Sequence, residues 1–352
     1  MSDLNVLTFP AALDFVNGVC TADHIYENQQ KTMVVEIHPD LFESQPENFY
    51  AFSAAAFSLN IVIVGLLTGK STEEFSSLMH GFDVLFSSSS DDGLSVKTPE
   101  LEEAAHDLSL CIAKNPQASI SLAQILRQQA FHDVPKGLTL ESLGYAMLQN
   151  GSEFANWLEK RGSMSAPADE SQVVLSNRVG NRLDIILNRP HRSNAFSSRV
   201  RDEFVEALRI ALVDESIEEI VLRGKGKSFC SGGELAEFGL VDFSPDGHLT
   251  RLSRNPGMLV HRLGNKTVPY LHGVCAGAGI EIPAFASKVI AHESTRIFLP
   301  EVAMGLIPGA GGTVSIPRRI GRHRAAYLAL SGREISAEDA LTWGLVDELT
   351  DS

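Results

Sequence analysis

The chain has 352 residues, 44% of them hydrophobic, and a formal net charge of -15. That is enough for two or three domains with a sizeable core, and the composition is that of an ordinary globular protein. Residues 1–172 carry 8 Lys and Arg against 23 Asp and Glu, whereas residues 173–352 carry 21 of each; this argues against nucleic acid or an anionic membrane as partner of the first half, whose acidity otherwise reads as a solvated surface.

Cysteines stand at 20, 111, 230 and 275 without a Cys-x-x-Cys pair. That pattern fits a reducing compartment and offers neither a disulfide framework nor a zinc site, so no metal is expected. The start, MSDLNVLTFP, lacks the basic and apolar regions of a signal peptide, and a cytoplasmic location is expected.

Residues 1–97 are the first segment. Apolar runs MVVEIH and NIVIVGL alternate with helix-like stretches, and FDVLFS reads as a third strand, giving a small α/β segment with no chemical motif. The uncharged run Tyr50–Gly69 is long enough to cross a bilayer. Asn60, the serines and the β-branched NIVIV instead fit a buried helix followed by a strand, and no membrane partner is expected. The segment closes on a serine-rich loop, Phe86–Lys97.

Residues 98–162 read as helices throughout. PELEEAAHDLSLCIAKN has helical apolar spacing and an acidic first turn. Helix breakers are expected at Asn115-Pro116 and at Pro135-Lys136-Gly137, and Ser163–Gln172 reads as a linker.

Residues 173–352 open with VVLSNRVGNRLDIILNRP, two strands around a Gly-Asn turn. An amphipathic helix follows, with Ser197 or Ser198 as N-cap. IEEIVLRG, VPYLHGVCAG, KVIAHES and RIFLP are further strands. Paired strands followed by helices recur, so a stack of ββα units is expected.

Three stretches in this last segment carry chemistry. In KSFCSGGELAEF (Lys227–Phe238) a strand meets two glycines and a helix start, where Gly233 is placed to offer a backbone N–H to an oxyanion; a plain strand-to-helix turn reads the same way. In HGVCAGAGIEIPAFA (His272–Ala286), Gly277, Ala278 and Gly279 let a ligand approach the backbone, and Ala278 offers a second N–H. The same stretch holds one carboxylate, Glu281, among small and apolar residues. A lone buried carboxylate is costly unless it is paired or chemically employed; a first-turn glutamate held by the helix dipole is the plainer reading. In FLPEVAMGLIPGAGGT (Phe298–Thr313), Glu301 also stands among apolar residues. Two buried glutamates beside one glycine-lined cavity push each other's pKa apart, which suits shared acid and base work.

Residues 172–350 resemble the crotonase, or enoyl-CoA hydratase/isomerase, superfamily. The resemblance rests on LNRPHRSNAF (Leu187–Phe196), GKSFCSGGEL (Gly226–Leu235), GAGIEI (Gly277–Ile282), PEVAMGLIPGAGGT (Pro300–Thr313) and LSGREISAEDALTWGLVDEL (Leu330–Leu349), in the family's order and spacing. It implies a crotonase-like spiral of ββα units acting on an acyl thioester of coenzyme A. CoA serves there as acyl carrier, with no other cofactor. By motif, the oxyanion donors are the N–H groups of Gly233 and Ala278, the two hydratase glutamates are Glu281 and Glu301, and Gly309 lies beside the added water. Gly232, Glu234, Leu235 and Gly277 fall in the substrate-binding turns. Lys227 and Arg192 are candidates for CoA phosphates or simply solvated cations. The chain departs from the hydratase pattern at Ala278, in a Gly-Ala-Gly triplet, at Pro283 and Ser287, and at Glu234, where an aspartate is usual.

The resemblance favours hydration of a 2-enoyl-CoA. Isomerisation, thioester or C–C hydrolysis, and a non-catalytic acyl-CoA-binding subunit are its alternatives. It also implies a homo-oligomer, trimer or hexamer. The family's tail helices follow the GLVDEL segment, yet here LEEAAHDLSLCIAKNPQASISLAQILRQQAF and LESLGYAMLQNGSEFANWLEKRG resemble that tail at 98–162. A circular permutation, or a duplication whose first copy is worn, would give this order, and either predicts that these helices pack on a crotonase-like core.

Overall fold

A computed structural model describes residues 4–69, 73–88, 93–165, 171–240 and 244–351. Residues 89–92 of the expected Phe86–Lys97 loop and 166–170 of the expected linker lie outside them. The chain forms two compact units, Met1–Gln129 with Ile320–Ser331, and Ala130–Arg319 with Gly332–Ser352.

The first unit is built on five parallel strands paired in chain order: β1 (Val6–Thr8), β2 (Thr32–Ile37), β3 (Val62–Leu67), β4 (Val84–Ser87) and β5 (Val96–Lys97). The uncharged Tyr50–Gly69 run resolves as expected into a helix and a strand. The Pro46–Ala56 helix buries Phe49, Phe52 and Ala56, and all six residues of β3 are buried. Phe9 stacks on Phe49 with ring centroids 4.0 Å apart, in a core that also holds Phe52 and Phe82. β1 and β5 escape sequence reading because three and two residues carry too little alternation. Asp83 is the centre of a buried charge cluster in this unit, paired closely with Arg127 and more distantly, at 4.0 Å, with Arg322. Arg127 donates to both carboxylate oxygens of Asp83, at 2.8 and 2.6 Å, and to the carbonyls of Ala56, Leu59 and Ile61.

The second unit holds a six-stranded sheet ordered β14-β11-β9-β8-β7-β6: β6 (Val174–Val179), β7 (Arg182–Leu187), β8 (Glu219–Gly224), β9 (Thr267–Leu271), β11 (Ile290–His292) and β14 (Glu348–Thr350). β6 and β7 form the expected antiparallel hairpin, with Gly180 at φ 63° in the turn. From β7 to β14 the pairing is parallel and again follows chain order. β10 (Val274–Ala276), β12 (Arg296–Phe298) and β13 (Ile335–Ser336) make a second small sheet. The Ser198–Val213 helix is capped by Ser197, whose side chain accepts from Val200 N–H.

The three segments expected from sequence do not coincide with the two units. Of the 98–162 helices, Leu101–Lys114 and Pro116–Arg127 belong to the first unit, whereas Val134–Gln149 and Ser152–Arg161 belong to the second. The second expected breaker also differs. Pro135 does not interrupt a helix; it sits in the first turn of Val134–Gln149, where its missing N–H costs nothing, and Asp133 caps that turn by accepting from Lys136 N–H. The run Gly312–Ser331 is two helices, separated at Gly321 (φ 76°, ψ 160°).

Candidate active site

The site is assembled wholly within the second unit, where two glycine turns lie side by side. Ala276 N–H donates to the Cys230 carbonyl at 3.0 Å, and a Cβ on Gly279 would stand 2.2 Å from the same oxygen, so only glycine allows this approach. On the first turn Phe196 N–H donates to the Gly232 carbonyl and Glu234 N–H donates to the Phe196 carbonyl. This parallel bridge skips residue 233. The Gly233 N–H and the Ala278 N–H, at the start of the short Ala278–Glu281 helix, have no acceptor among the described residues, and both residues line one cavity of about 230 Å³. The expected helix after Gly233 is only a 3-10 turn, Leu235–Glu237. The Gly233 N–H is therefore freed by strand pairing and not by an α-helix terminus.

Glu281 and Glu301 line the same cavity. A Cβ on Gly277 would lie 2.3 Å from Glu301 Oε1 and 3.6 Å from Glu281 Oε1, so both carboxylates crowd one backbone position whose φ of 48° already favours glycine. Their surroundings differ. Glu281 Oε2 accepts from Ala310 N–H at 2.7 Å and Gly312 N–H at 2.9 Å. Glu301 Oε2 is buried with no hydrogen-bond partner among the described residues. Burial raises the pKa of Glu281, and the backbone donors at Ala310, Gly312 and Gly309 oppose that rise. Burial and then the charge of Glu281 hold Glu301 well above the usual carboxylate range.

A third glutamate, fully buried and not anticipated from sequence, comes from the Val134–Gln149 helix. Glu141 accepts from Gly311 N–H at 2.7 Å, Thr313 N–H at 2.9 Å and Thr313 Oγ1 at 2.7 Å. Burial, then the neighbouring Glu281, raise its pKa. The available signal was helical spacing: Leu138, Glu141, Ser142, Ala146 and Leu148 are all buried residues of this one helix. An acid on an amphipathic helix ordinarily faces water, so the sequence alone does not single this one out. Tyr145 of the same helix lines the cavity and lies against Gly309, where an added Cβ would stand 2.4 Å from its ring.

The remaining expected residues divide. Gly309 lines the cavity, and Gly232 and Gly277 shape its turns at positive φ. Glu234 is buried and ion-paired, with Arg189 at 3.2 Å and Arg192 at 2.6 Å; its carboxylate fastens the first turn to the Pro190–Arg192 turn. Arg192 is thereby engaged within the protein. The Leu235 carbonyl accepts from Arg161, which ties the Ser152–Arg161 helix to the same turn. Lys227 is exposed and is not among the residues lining the cavity.

Two N–H donors unpartnered among the described residues, lining a cavity with the buried Glu281 and the half-buried Glu301, form an arrangement suited to stabilising an enolate next to acid–base groups. Residues 180–351 match the family Enoyl-CoA hydratase/isomerase. The 1,2-epoxyphenylacetyl-CoA isomerase of Escherichia coli K12 is 34% identical over 184 residues, which covers 51% of this chain and 70% of that protein. The chain belongs to the enoyl-CoA hydratase/isomerase family. The 2,3-dehydroadipyl-CoA hydratase of the same organism is 32% identical over 181 residues, 51% of this chain and 69% of that protein. A solved enoyl-CoA hydratase from Thermoplasma volcanium aligns at 30% identity and a TM-score of 0.49, covering 52% of this chain and 73% of that one. The family match, residues 180–351, lies in the second half of the chain. Among the described residues no helix is long and apolar enough to cross a membrane, and no cluster of three or more His, Cys, Asp or Glu could hold a metal.

Proposed function

We propose that this crotonase-family enzyme adds water across the double bond of a 2-enoyl-CoA. The thioester oxygen accepts from Gly233 and Ala278 N–H. These donors stabilise the negative charge that reaches that oxygen as C3 is attacked, an effect worth about 3–4 kcal/mol per donor in comparable sites. Water bound between Glu281 and Glu301 gives one proton to a carboxylate while its oxygen bonds to C3. The C2–C3 π pair shifts toward the thioester, and the other glutamate delivers a proton to C2.

The observation that carries the reading is the unequal pair. Glu281 accepts several backbone N–H bonds, which favour its ionised form, so it takes the base role. Glu301 leaves one oxygen bare in a buried site, which favours its protonated form and the acid role. After addition the proton has moved between the two acids, and exchange with solvent restores the pair. One relative carries an isomerase name and the other a hydratase name; the retained pair of glutamates favours hydration. The test is loss of the conjugated enoyl-thioester absorbance with 2-enoyl-CoA in wild type, Glu281→Gln and Glu301→Gln. Loss in wild type alone supports the proposal. Full activity in either variant, or migration of the double bond without hydration, overturns it.

A further inference from the structure

Among the described residues lining the cavity, one arginine makes no ion pair; the charge of Glu141 reaches it only from beyond ion-pair distance. Arg201, Arg251 and Arg254 line it. Arg201 pairs with Asp202 at 3.0 Å, and Arg254 pairs with Glu206. Arg251, on the Ser244–Ser253 helix, has no carboxylate within ion-pair distance among the described residues. Its bonds go to neutral oxygens and are long: Ser142 Oγ at 3.2 Å, Gln149 Oε1 at 3.3 Å and the Ser142 carbonyl at 3.4 Å. Its guanidinium lies 4.4 Å from the centre of the Tyr145 ring. A guanidinium has five N–H donors, so donors remain for a ligand. The Tyr145 hydroxyl also lacks a hydrogen-bond partner among the described residues. A half-buried cation whose direct hydrogen bonds all go to neutral oxygens is incompletely compensated, and an incoming anion relieves it.

The position of this cation says which part of a ligand it meets. Tyr145 lies against Gly309, in the turn whose N–H groups hold Glu281, so Arg251 lies on the glutamate side of the cavity. With the thioester oxygen at Gly233 and Ala278 and C3 at the glutamates, the chain beyond C3 runs toward Tyr145 and Arg251. We infer that Arg251 is a specificity-determining residue and that the preferred acyl group ends in a carboxylate, bound by the Arg251 fork with the Tyr145 hydroxyl as a second donor. This rests on the hydratase reading for its orientation of the substrate; the binding preference itself does not require turnover.

The test therefore begins with binding. Calorimetry compares hexanoyl-CoA with adipyl-CoA, and octanoyl-CoA with suberyl-CoA, on wild type, Arg251→Met and Arg251→Lys. A charge-assisted bidentate contact predicts that wild type prefers the acid-terminated member of at least one pair by about 10- to 100-fold, that Met abolishes the preference, and that Lys restores part of it. Equal affinity for both members of each pair, or equal loss for both in Arg251→Met, overturns the inference. Loss of affinity for free CoA in Arg251→Met would assign the guanidinium to CoA phosphates and also overturns it. A preference that persists in a chain unable to hydrate any enoyl-CoA would retain the carboxylate site while rejecting the hydratase reading.

Discussion

Glu141 and Glu281 grip alternate N–H groups of one glycine turn. Ala310 and Gly312 donate to Glu281, while Gly311 and Thr313 donate to Glu141. Four successive amides are thus held by two carboxylates, one from the Ala278–Glu281 helix and one from a helix some 170 residues away in the chain. The turn that orients the proposed base is fixed from both sides.

Glu141→Ala should therefore cost both stability and activity. Three donors lose their acceptor in a buried site, and each such loss costs about 1–3 kcal/mol where water cannot replace it. Denaturant unfolding should show the loss. A variant with unchanged stability and unchanged kcat would show that Glu141 does not hold the turn.

The pH dependence has a definite sign. Burial raises Glu141 from an ordinary value of 4.5, and raises Glu281 and Glu301 as well. A raised folded-state pKa means the folded chain holds the proton more tightly. Its stabilising contribution is complete below the unfolded value and is lost as pH rises through the raised one. Glu141→Gln cannot lose a proton there, so its stability relative to wild type should improve from about pH 5 to the raised value of about 8 and level off above it. Parallel stability curves for the two proteins would contradict this.

Removing either acid of the proposed pair should lower kcat by about 100- to 10,000-fold, the usual worth of positioned acid–base catalysis. Binding of a saturated acyl-CoA should survive in Glu281→Gln and Glu301→Gln, because the oxyanion donors are backbone groups. Stopped-flow loss of enoyl absorbance gives the first quantity and calorimetry the second.

Gly277→Ala should fail in a different manner. The added Cβ would stand 2.3 Å from Glu301 Oε1, and the backbone already sits at φ 48°. Strain of about 1–3 kcal/mol is expected, with the acid displaced. Thermal unfolding and kcat should fall together, whereas Glu301→Gln should spare stability.

In the first unit, Arg127→Met leaves Asp83 buried without its partner. Breaking such a pair from one side costs about 3–5 kcal/mol. Arg322, 4.0 Å from Asp83, lies within the same unit. Urea unfolding of the Arg127→Met chain should show an early transition; an unchanged curve would mean that Arg322 replaces the lost guanidinium.

The sequence by itself determined the family, the strands around each glycine turn and the identity of Gly233, Ala278, Glu281 and Glu301 as the groups at issue. These are local signals. A glycine that must admit a carbonyl, or a glutamate embedded in small residues, is visible within a dozen positions. The tertiary structure alone decided what meets them. Glu141, Tyr145 and Arg251 lie on helices whose local pattern looks like ordinary amphipathic surface, and they reach the site only because those helices pack within one unit with the glycine turns. Arg192, a candidate for phosphate, proves to be bound to Glu234 for the same reason. The free Gly233 N–H depends on pairing with Phe196, not on the helix terminus that the local sequence suggests. Local propensity sets which residues are in place; burial and partner choice arise from packing between distant segments, and these set what each residue does.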